Sequence, residues 1–349
     1  MWFWFLAFVF LSIAIVFLVK YTPPRRANLS KPKERITLPD GQILEGPDNT
    51  LGKGAFGLVE RYSLIKAGKT TAVAVKKPHA VAHNNMQERE IKMLRTASTH
   101  TNIIKLLAVV TVKNKIYMVM ELMHSSVKEL LQKYPHMSWP TKLSITKQML
   151  AALVHIHGLS KGTFKRKVMV HQDLKPENLL INKLEDTENI QIKIADFGLA
   201  KIVDEIKLPF IGKIASISEG PVGGTYQYMA PEIVQMLETH AATATERESD
   251  IFSVGIILYE LAVGSLPLRS KAECLAGTFP AFAQDRSSRP MIEQTTWMMT
   301  KIMVKGKPDY PKTKFFGPII EKCISPKPSQ RDSADKILGH VNSINLRTG

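Results

Sequence analysis

The chain has 349 residues, room for one large domain or two small ones, and carries 47 Lys and Arg against 31 Asp and Glu, a formal charge of +16. Its two cysteines, Cys274 and Cys323, stand far apart with no metal-ligand spacing, so neither a disulfide framework nor a zinc site is indicated and a reducing compartment fits. The positive charge suits acidic partners or anionic lipid, but without zinc spacing or interleaved aromatic and basic residues it does not select nucleic acid.

From Trp2 to Val19 the sequence is apolar except for Ser12. A helix of ~18 residues at ~1.5 Å rise spans ~27 Å, enough for a thin bilayer. A buried core helix is disfavoured, because the segment has no polar face for water to wet. A cleaved signal peptide competes with the span, but such peptides carry their charge before the apolar run. Here it lies behind, in Lys20, Arg25, Arg26, Lys31, Lys33 and Arg35, which predicts a single-pass transmembrane helix over 1–19 with the body of the chain cytoplasmic. Trp2, Trp4 and Tyr21 then sit at the interfaces. With almost nothing before the span, no ligand-binding ectodomain is expected. Pro23, Pro24, Pro32, Pro39 and Pro47 make the residues behind the span a poor helix or strand, so 20–42 reads as a basic, proline-rich juxtamembrane linker. It either lies on an anionic leaflet, where each basic residue contributes ~1 kcal/mol, or is simply solvated. Asn28-Leu29-Ser30 matches a glycosylation acceptor that would face the cytosol.

The folded body is expected over 43–345. Leu51-Gly52-Lys53-Gly54-Ala55-Phe56-Gly57-Leu58-Val59 is glycine-rich, and without Cβ atoms its backbone can come close to phosphates. In a dinucleotide-binding unit a helix comes after such glycines. Here Leu58 to Tyr62 alternates like a strand, and a second strand, Thr71 to Val75, ends on Lys76, which favours a hairpin lid. Gln87 to Leu94 reads as a helix with Ile91 and Leu94 toward a core, and Lys115 to Met120 as a strand. Thr141 to His157 carries Leu143, Ile145, Met149, Leu150, Leu153 and Ile156 at helical spacing, a buried helix. Gly158 to Lys167 reads as a basic solvated loop, with docking of an acidic partner as the alternative.

Next comes His171-Gln172-Asp173-Leu174-Lys175-Pro176-Glu177-Asn178, with Val168-Met169-Val170 before it and Leu179-Leu180-Ile181 after it. A polar loop anchored by apolar runs can hold a base (Asp173), a cation (Lys175) and a magnesium ligand (Asn178) close together, which suits phosphoryl transfer. The bland alternative is an Asp/Asn turn between strands. Ile190 to Ala195 alternates like a strand and delivers Asp196-Phe197-Gly198. From there to Ala230-Pro231-Glu232, the residues Pro209, Gly212, Gly220, Pro221, Gly223 and Gly224 are expected to interrupt regular structure. Ser249 to Gly255 begins an apolar helix that runs to Leu261.

These motifs, in this order over roughly residues 45 to 345, resemble the eukaryotic-type protein kinases of the serine/threonine class. The resemblance implies an α+β, two-lobed protein kinase fold. A small β-sheet lobe with one helix (about 43–122) sits above a larger, mainly helical lobe (about 123–345), with ATP and Mg2+ between them. It implies that Lys76 binds the α- and β-phosphates and pairs with Glu90, Glu88 being the fallback. It implies an ATP site of Leu51, Gly52, Gly54, Gly57, Val59, Ala74, Lys76, Met120, Glu121, Met123 and Leu180. The backbone of Glu121 and Met123 would meet the adenine, and Met120 would narrow the pocket behind it.

Asp173 and Lys175 are then catalytic, and Asn178 and Asp196 hold the metal. Thr225 contacts Asp173 and Lys175, Asp250 holds the catalytic-loop backbone, and Arg331 pairs with Glu232. The partners implied are protein substrates, with membrane lipid reached through the span and linker and no nucleic acid. Lys175-Pro176-Glu177 after Asp173 points to serine and threonine rather than tyrosine. A catalytically weak kinase-fold scaffold at a membrane would need a missing lysine, base or metal ligand, and Lys76, Asp173, Asn178 and Asp196 are all present. Three departures stand out. Gln172 replaces the family's usual arginine, the stretch from Gly158 to Lys167 is longer and more basic than usual, and Thr239 to Glu248 and Phe279 to Lys312 match poorly.

Overall fold

The computed structural model describes residues 33–54, 57–80, 84–159, 165–183, 185, 189–208, 212–215, 225–233, 236, 247–264, 316–325 and 327–345. The expected span over 1–19, residues 20–32 of the linker, and Ala55 and Phe56 of the glycine-rich stretch lie outside the described residues. Among the described residues no helix is long and apolar enough to cross a membrane.

The N-terminal lobe is a six-stranded antiparallel sheet. Its strands are β1 (Glu34–Thr37), β2 (Ile43–Lys53), β3 (Gly57–Lys66), β4 (Lys69–Pro78), β5 (Leu106–Val112) and β6 (Lys115–Glu121), in the order β1-β2-β3-β4-β6-β5. Alternation along β4 sorts the two faces. Val73 and Val75 join Leu44, Tyr62, Tyr117 and Val119 in a core on the outer face, which leaves Ala74 and Lys76 on the inner one. Against the inner face lies helix α1 (Asn84–Ala97), burying Gln87, Glu90, Ile91, Leu94 and Ala97.

Strand β1 corrects the expected linker bound at 42, since Glu34–Thr37 already belongs to the sheet. Glu34–Thr37 is a proline-free stretch between Pro32 and Pro39, and Ile36 pairs with Leu44 in register. An edge strand tolerates prolines just outside its ends. Glu34 fixes the strand further. Its carboxylate accepts hydrogen bonds from Lys77 Nζ at 2.6 Å and from the Tyr62 hydroxyl, and Lys77 also pairs with Glu60 at 3.0 Å.

The C-terminal lobe is mainly helical: α2 (Val127–Lys133), α3 (Trp139–Ile156), α4 (Glu248–Val263), α5 (Gly317–Cys323) and α6 (Ala334–Asn342). Helix α3 starts at Ser138, whose side chain accepts from Thr141 N–H, with Pro140 in the first turn. Helix α4 is apolar nearly all round and correspondingly buried. Gly255 lets α5 touch it, since a Cβ there would lie 2.7 Å from Cys323 Cβ and 2.6 Å from Ile324 Cγ2. One continuous core runs from Ile91, Leu94 and Met118 of the upper lobe through α3 to α4 and α6, so the lobes meet over packed side chains.

Two small sheets frame the loops between the lobes. Strands β7 (Ser125–Ser126), β9 (Leu179–Ile181) and β10 (Ile192–Ile194) form one, in the order β10-β9-β7. Strands β8 (Lys165–Val170), β11 (Lys201–Leu208) and β12 (Gly212–Ala215) form the other, in the order β12-β11-β8. The second sheet corrects two expectations. Lys165 to Lys167, read as the end of a solvated loop, extends β8 by three residues because β11 supplies a partner from Lys201 to Ile206. The stretch after Asp196, read as irregular, forms β11 and β12 on either side of Pro209, which falls between the strands.

Candidate active site

The strand registers bring much of the expected nucleotide site onto one sheet face. Val59 stands opposite both Gly52 and Lys76, and Ala74 stands opposite Met120. Directly opposed residues share a face, so Gly52, Val59, Ala74, Lys76 and Met120 look toward the lower lobe. The glycines differ among themselves. A Cβ on Gly52 would meet nothing within 4 Å, and one on Gly54 only the Gly57 carbonyl at 3.9 Å, which leaves open space above the cleft. Gly57 is required for another reason: a Cβ there would lie 2.3 Å from the Lys77 carbonyl oxygen. Leu51 is exposed beside them. At the crossover to the lower lobe, Glu121 N–H donates to the Lys105 carbonyl at 3.1 Å, and its carboxylate pairs with Lys193 Nζ at 2.9 Å. Met123 and Leu180 pack against the main core from below.

Lys76 Nζ lies 2.7 and 2.8 Å from the two carboxylate oxygens of Glu90 and 3.1 Å from Asp196 Oδ1. Three elements meet in that cluster. Strand β4 ends beside it, α1 presents Glu90 rather than the exposed Glu88, and the turn after β10 presents Asp196. Burial works against the charge on Lys76, but the Glu90 and Asp196 carboxylates outweigh it and hold the ammonium above its ordinary pKa. Burial raises Glu90 above the usual carboxylate range, with Lys76 opposing. Burial pushes Asp196 the same way, yet the Lys76 charge and hydrogen bond prevail and keep its carboxyl below that range.

The second cluster is built from neighbours in sequence. Asp173 Oδ2 accepts from Lys175 Nζ at 2.7 Å and Asn178 Nδ2 at 3.1 Å, while Oδ1 accepts from Thr225 N–H at 2.9 Å and the Thr225 hydroxyl at 3.0 Å. Lys175 Nζ also donates to Thr225 Oγ1 at 2.8 Å, and Asn178 Nδ2 to the Asp173 carbonyl at 2.8 Å. All four lone-pair positions of the Asp173 carboxylate are thereby engaged. With its NH2 committed to two acceptors of Asp173, Asn178 has its amide oxygen left over. That oxygen and the half-exposed carboxylate of Asp196 are hard oxygen donors of the kind Mg2+ takes.

Asp250 at the start of α4 fixes the loop that carries this cluster. Its oxygens accept from His171 N–H at 2.8 Å, Gln172 N–H at 2.9 Å and His157 Nε2 at 2.9 Å. Gln172 is thereby held at φ +69° and Asp196 stands at φ +62°, left-handed conformations uncommon for residues with a Cβ and concentrated at functional sites. His171 ties the two aspartate loops together. Its Nδ1 accepts from Asp173 N–H at 3.3 Å, which makes Nε2 the protonated nitrogen that donates to the Ala195 carbonyl at 3.1 Å, and its ring stacks edge-on against Phe197. Farther out, the buried Arg331 guanidinium meets Glu232 through two bonds of 2.6 and 2.8 Å and lies over the Phe252 ring.

Sequence reading missed the two histidines and a buried triad in which Glu260 accepts from Lys128 Nζ at 2.9 Å and Tyr228 OH at 2.6 Å. The triad had a signal: Glu260 is a charged residue inside the apolar run of α4. His171 stands inside the loop motif two residues before Asp173, whereas His157 had no signal, because its partner Asp250 comes from a distant part of the chain.

The family description "Protein kinase domain" matches residues 47–342. "Serine/threonine-protein kinase D2" of Rattus norvegicus is 28% identical over 338 residues, covering 92% of this chain and 32% of that protein. "Carbon catabolite-derepressing protein kinase" of Saccharomyces cerevisiae is 31% identical over 246 residues, 69% of this chain and 34% of that one. "Sucrose non-fermenting protein kinase 1" of Fusarium virguliforme is 33% identical over 221 residues, 62% of this chain and 28% of that one. The chain spans about a third of the length of these curated relatives.

Proposed function

The chain belongs to the protein kinase domain family, and on that premise we propose that it transfers the γ-phosphate of ATP to serine and threonine hydroxyls of protein substrates while anchored in a membrane. The observation that carries the chemistry is the meeting, in one cleft, of the Lys76–Glu90–Asp196 ion cluster and the Asp173–Lys175–Thr225–Asn178 hydrogen-bond cluster.

Phosphoryl transfer asks a protein mainly to position groups and stabilise charge. Lys76, held by Glu90, meets the α- and β-phosphates under the open backbone around Gly52 and Gly54. Adenine lies between Ala74 and Val59 above and Leu180 below, against Glu121 and Met123. Asn178 and Asp196 would hold Mg2+, which supplies charge neutralisation at the phosphates when bound. Asp173 accepts the proton of the attacking hydroxyl, and Lys175 meets the moving phosphate. Because the Asp173 carboxylate is already fully engaged, the substrate hydroxyl reaches it by displacing the Thr225 hydroxyl. Incubation of the full-length chain with labelled ATP and serine, threonine and tyrosine peptides tests the reading. Label on serine or threonine is expected, and label confined to tyrosine, or none, defeats it.

The membrane half of the reading rests on the apolar run from Trp2 to Val19 and the basic residues behind it. In sealed vesicles with the cytoplasmic face outward, added protease should digest the kinase domain. Its protection, or a sugar on Asn28, would mean an inverted or cleaved N-terminus.

A further inference from the structure

The kinase reading leaves unassigned the sheet of β8, β11 and β12. Strand β8 stops at Val170, immediately before His171 of the loop that carries Asp173, and β11 starts at Lys201, shortly after Asp196. Six register pairs, from Lys201 opposite Val170 to Ile206 opposite Lys165, join the stems of the two loops whose aspartates serve the same cleft. Val168, Val170 and Val203 form a core cluster of their own between the strands. Beyond it the pairing continues from Asp204 opposite Lys167 to Ile206 opposite Lys165, and β12 extends the sheet from Glu205 to Leu208. Opposite charges directly across an antiparallel pair favour the register.

Nothing in the chemistry of phosphate transfer needs a strand at Lys165 to Lys167. What the cleft does need is a fixed distance between Asp173 and Asp196, both of which stand in or beside left-handed turns that relax unless held. At the position next to Asp173, Gln172 carries no charge with which to organise the segment after Asp196 through an ionic contact. We propose that the outer part of this ladder, with Lys167 and Asp204 as its paired positioning residues, holds the stems of the two loops together and sets the turnover rate. The proposal rests on the kinase reading. It predicts a defect in kcat that leaves ATP binding nearly alone, because the Lys76–Glu90 half of the cleft is built on other elements.

A charge-swap cycle in the full-length chain tests this. Lys167→Glu and Asp204→Lys each place like charges across the ladder and should lower kcat about two- to fivefold, the range of one cross-strand pair. ATP KM should hold, amide exchange should quicken over 201–208 but not in α3, and the double swap should restore kcat and exchange together. Of Lys167→Pro and Arg166→Pro, neighbours on an edge strand, one removes a backbone donor to β11 whatever the charges do, and that variant should cost roughly tenfold in kcat without rescue. If that variant fails to fold, the swap cycle decides alone. Faster exchange with an unchanged kcat overturns the proposal, as does a loss of kcat that the double swap leaves in place. Wild-type phosphotransfer abolished by Asp196→Asn, run alongside, establishes the kinase reading separately, so a flat result in the swap cycle strikes only the sheet.

Discussion

The two halves of the cleft are built in opposite ways. The Asp173 cluster draws three of its four side chains from within six residues, and neutral and charged hydrogen bonds saturate its carboxylate. The Lys76 cluster has no local part: β4, α1 and the turn after β10 each contribute one charged group, and only their packing brings the three together. A local cluster keeps its geometry when the lobes shift, whereas a cluster spread over three elements reports their relative position. The lower half is therefore suited to chemistry that tolerates no misplacement, and the upper half to sensing whether the cleft is closed.

Removing the base should separate the halves most sharply. Asp173→Asn is expected to lower kcat by on the order of 10²–10⁴ while ATP binding survives, since Lys76 and Glu90 of the proposed phosphate site stand on other elements. Calorimetric titration with ATP beside steady-state turnover checks both numbers, and an Asp173→Asn enzyme of undiminished kcat would end the assignment. Glu90→Gln strikes the other half. Lys76 loses a charged partner but keeps Asp196, and one charge-assisted hydrogen bond lost among buried groups corresponds to roughly ten- to hundredfold. Here the loss should show in ATP KM as well as in kcat. Glu88→Gln, on the exposed face of α1, should behave as wild type, and the reverse ranking would show that the wrong glutamate had been paired.

A pH series sharpens the same contrast. The Asp196 carboxyl is held below its usual range when folded, so its contribution to stability is present above the ordinary aspartate pKa of ~3.9 and is lost as pH falls through the lower folded value. Lys76, held above its ordinary value, contributes below ~10.4 and loses that contribution as pH rises through the folded value. Asp196→Asn should therefore melt below wild type at neutral pH, with the gap closing in acid. Lys76→Met should show a gap that closes only in strong alkali. A gap that widens in acid for Asp196→Asn would contradict the ion-pair assignment.

The local half of the site was also the half legible in sequence. Asp173, Lys175 and Asn178 announce themselves by spacing, and Val73-Ala74-Val75-Lys76 by alternation. The pairing of Lys76 with Glu90 came only through family likeness, because no pattern in one sequence says which of two helix glutamates turns inward. Strand β1 was hidden by its prolines, which were weighed as breakers when they merely flank the strand. The outer half of β8 was hidden by its charge, since Lys165-Arg166-Lys167 looks like solvated loop until β11 is placed opposite it. In both cases the missing information was the partner strand, which lies on another part of the chain.

The smallest expected effect concerns phosphorylation of the segment after Asp196, where Ser216 and Ser218 offer hydroxyls outside the described residues. A phosphate there orders such a segment when a guanidinium beside the base grips it with two charged hydrogen bonds. Gln172 occupies that place, with its backbone N–H committed to Asp250 and an amide side chain that carries no charge. Lys201, the cation at the start of β11, is buried, and burial together with the Arg89 charge lowers its pKa, so a charge there is less favourable than on the surface. The strand pairing of β8 and β11 meanwhile holds the start of the segment through backbone bonds that no phosphatase can remove. Phosphatase treatment of the purified enzyme should therefore change kcat by only a few-fold, and Ser216→Ala and Ser218→Ala should match the treated wild type. A roughly hundredfold fall on dephosphorylation would mean that a phosphate does clamp this segment. In that event Lys201→Met should abolish the response, which would identify the buried lysine as the group that receives it.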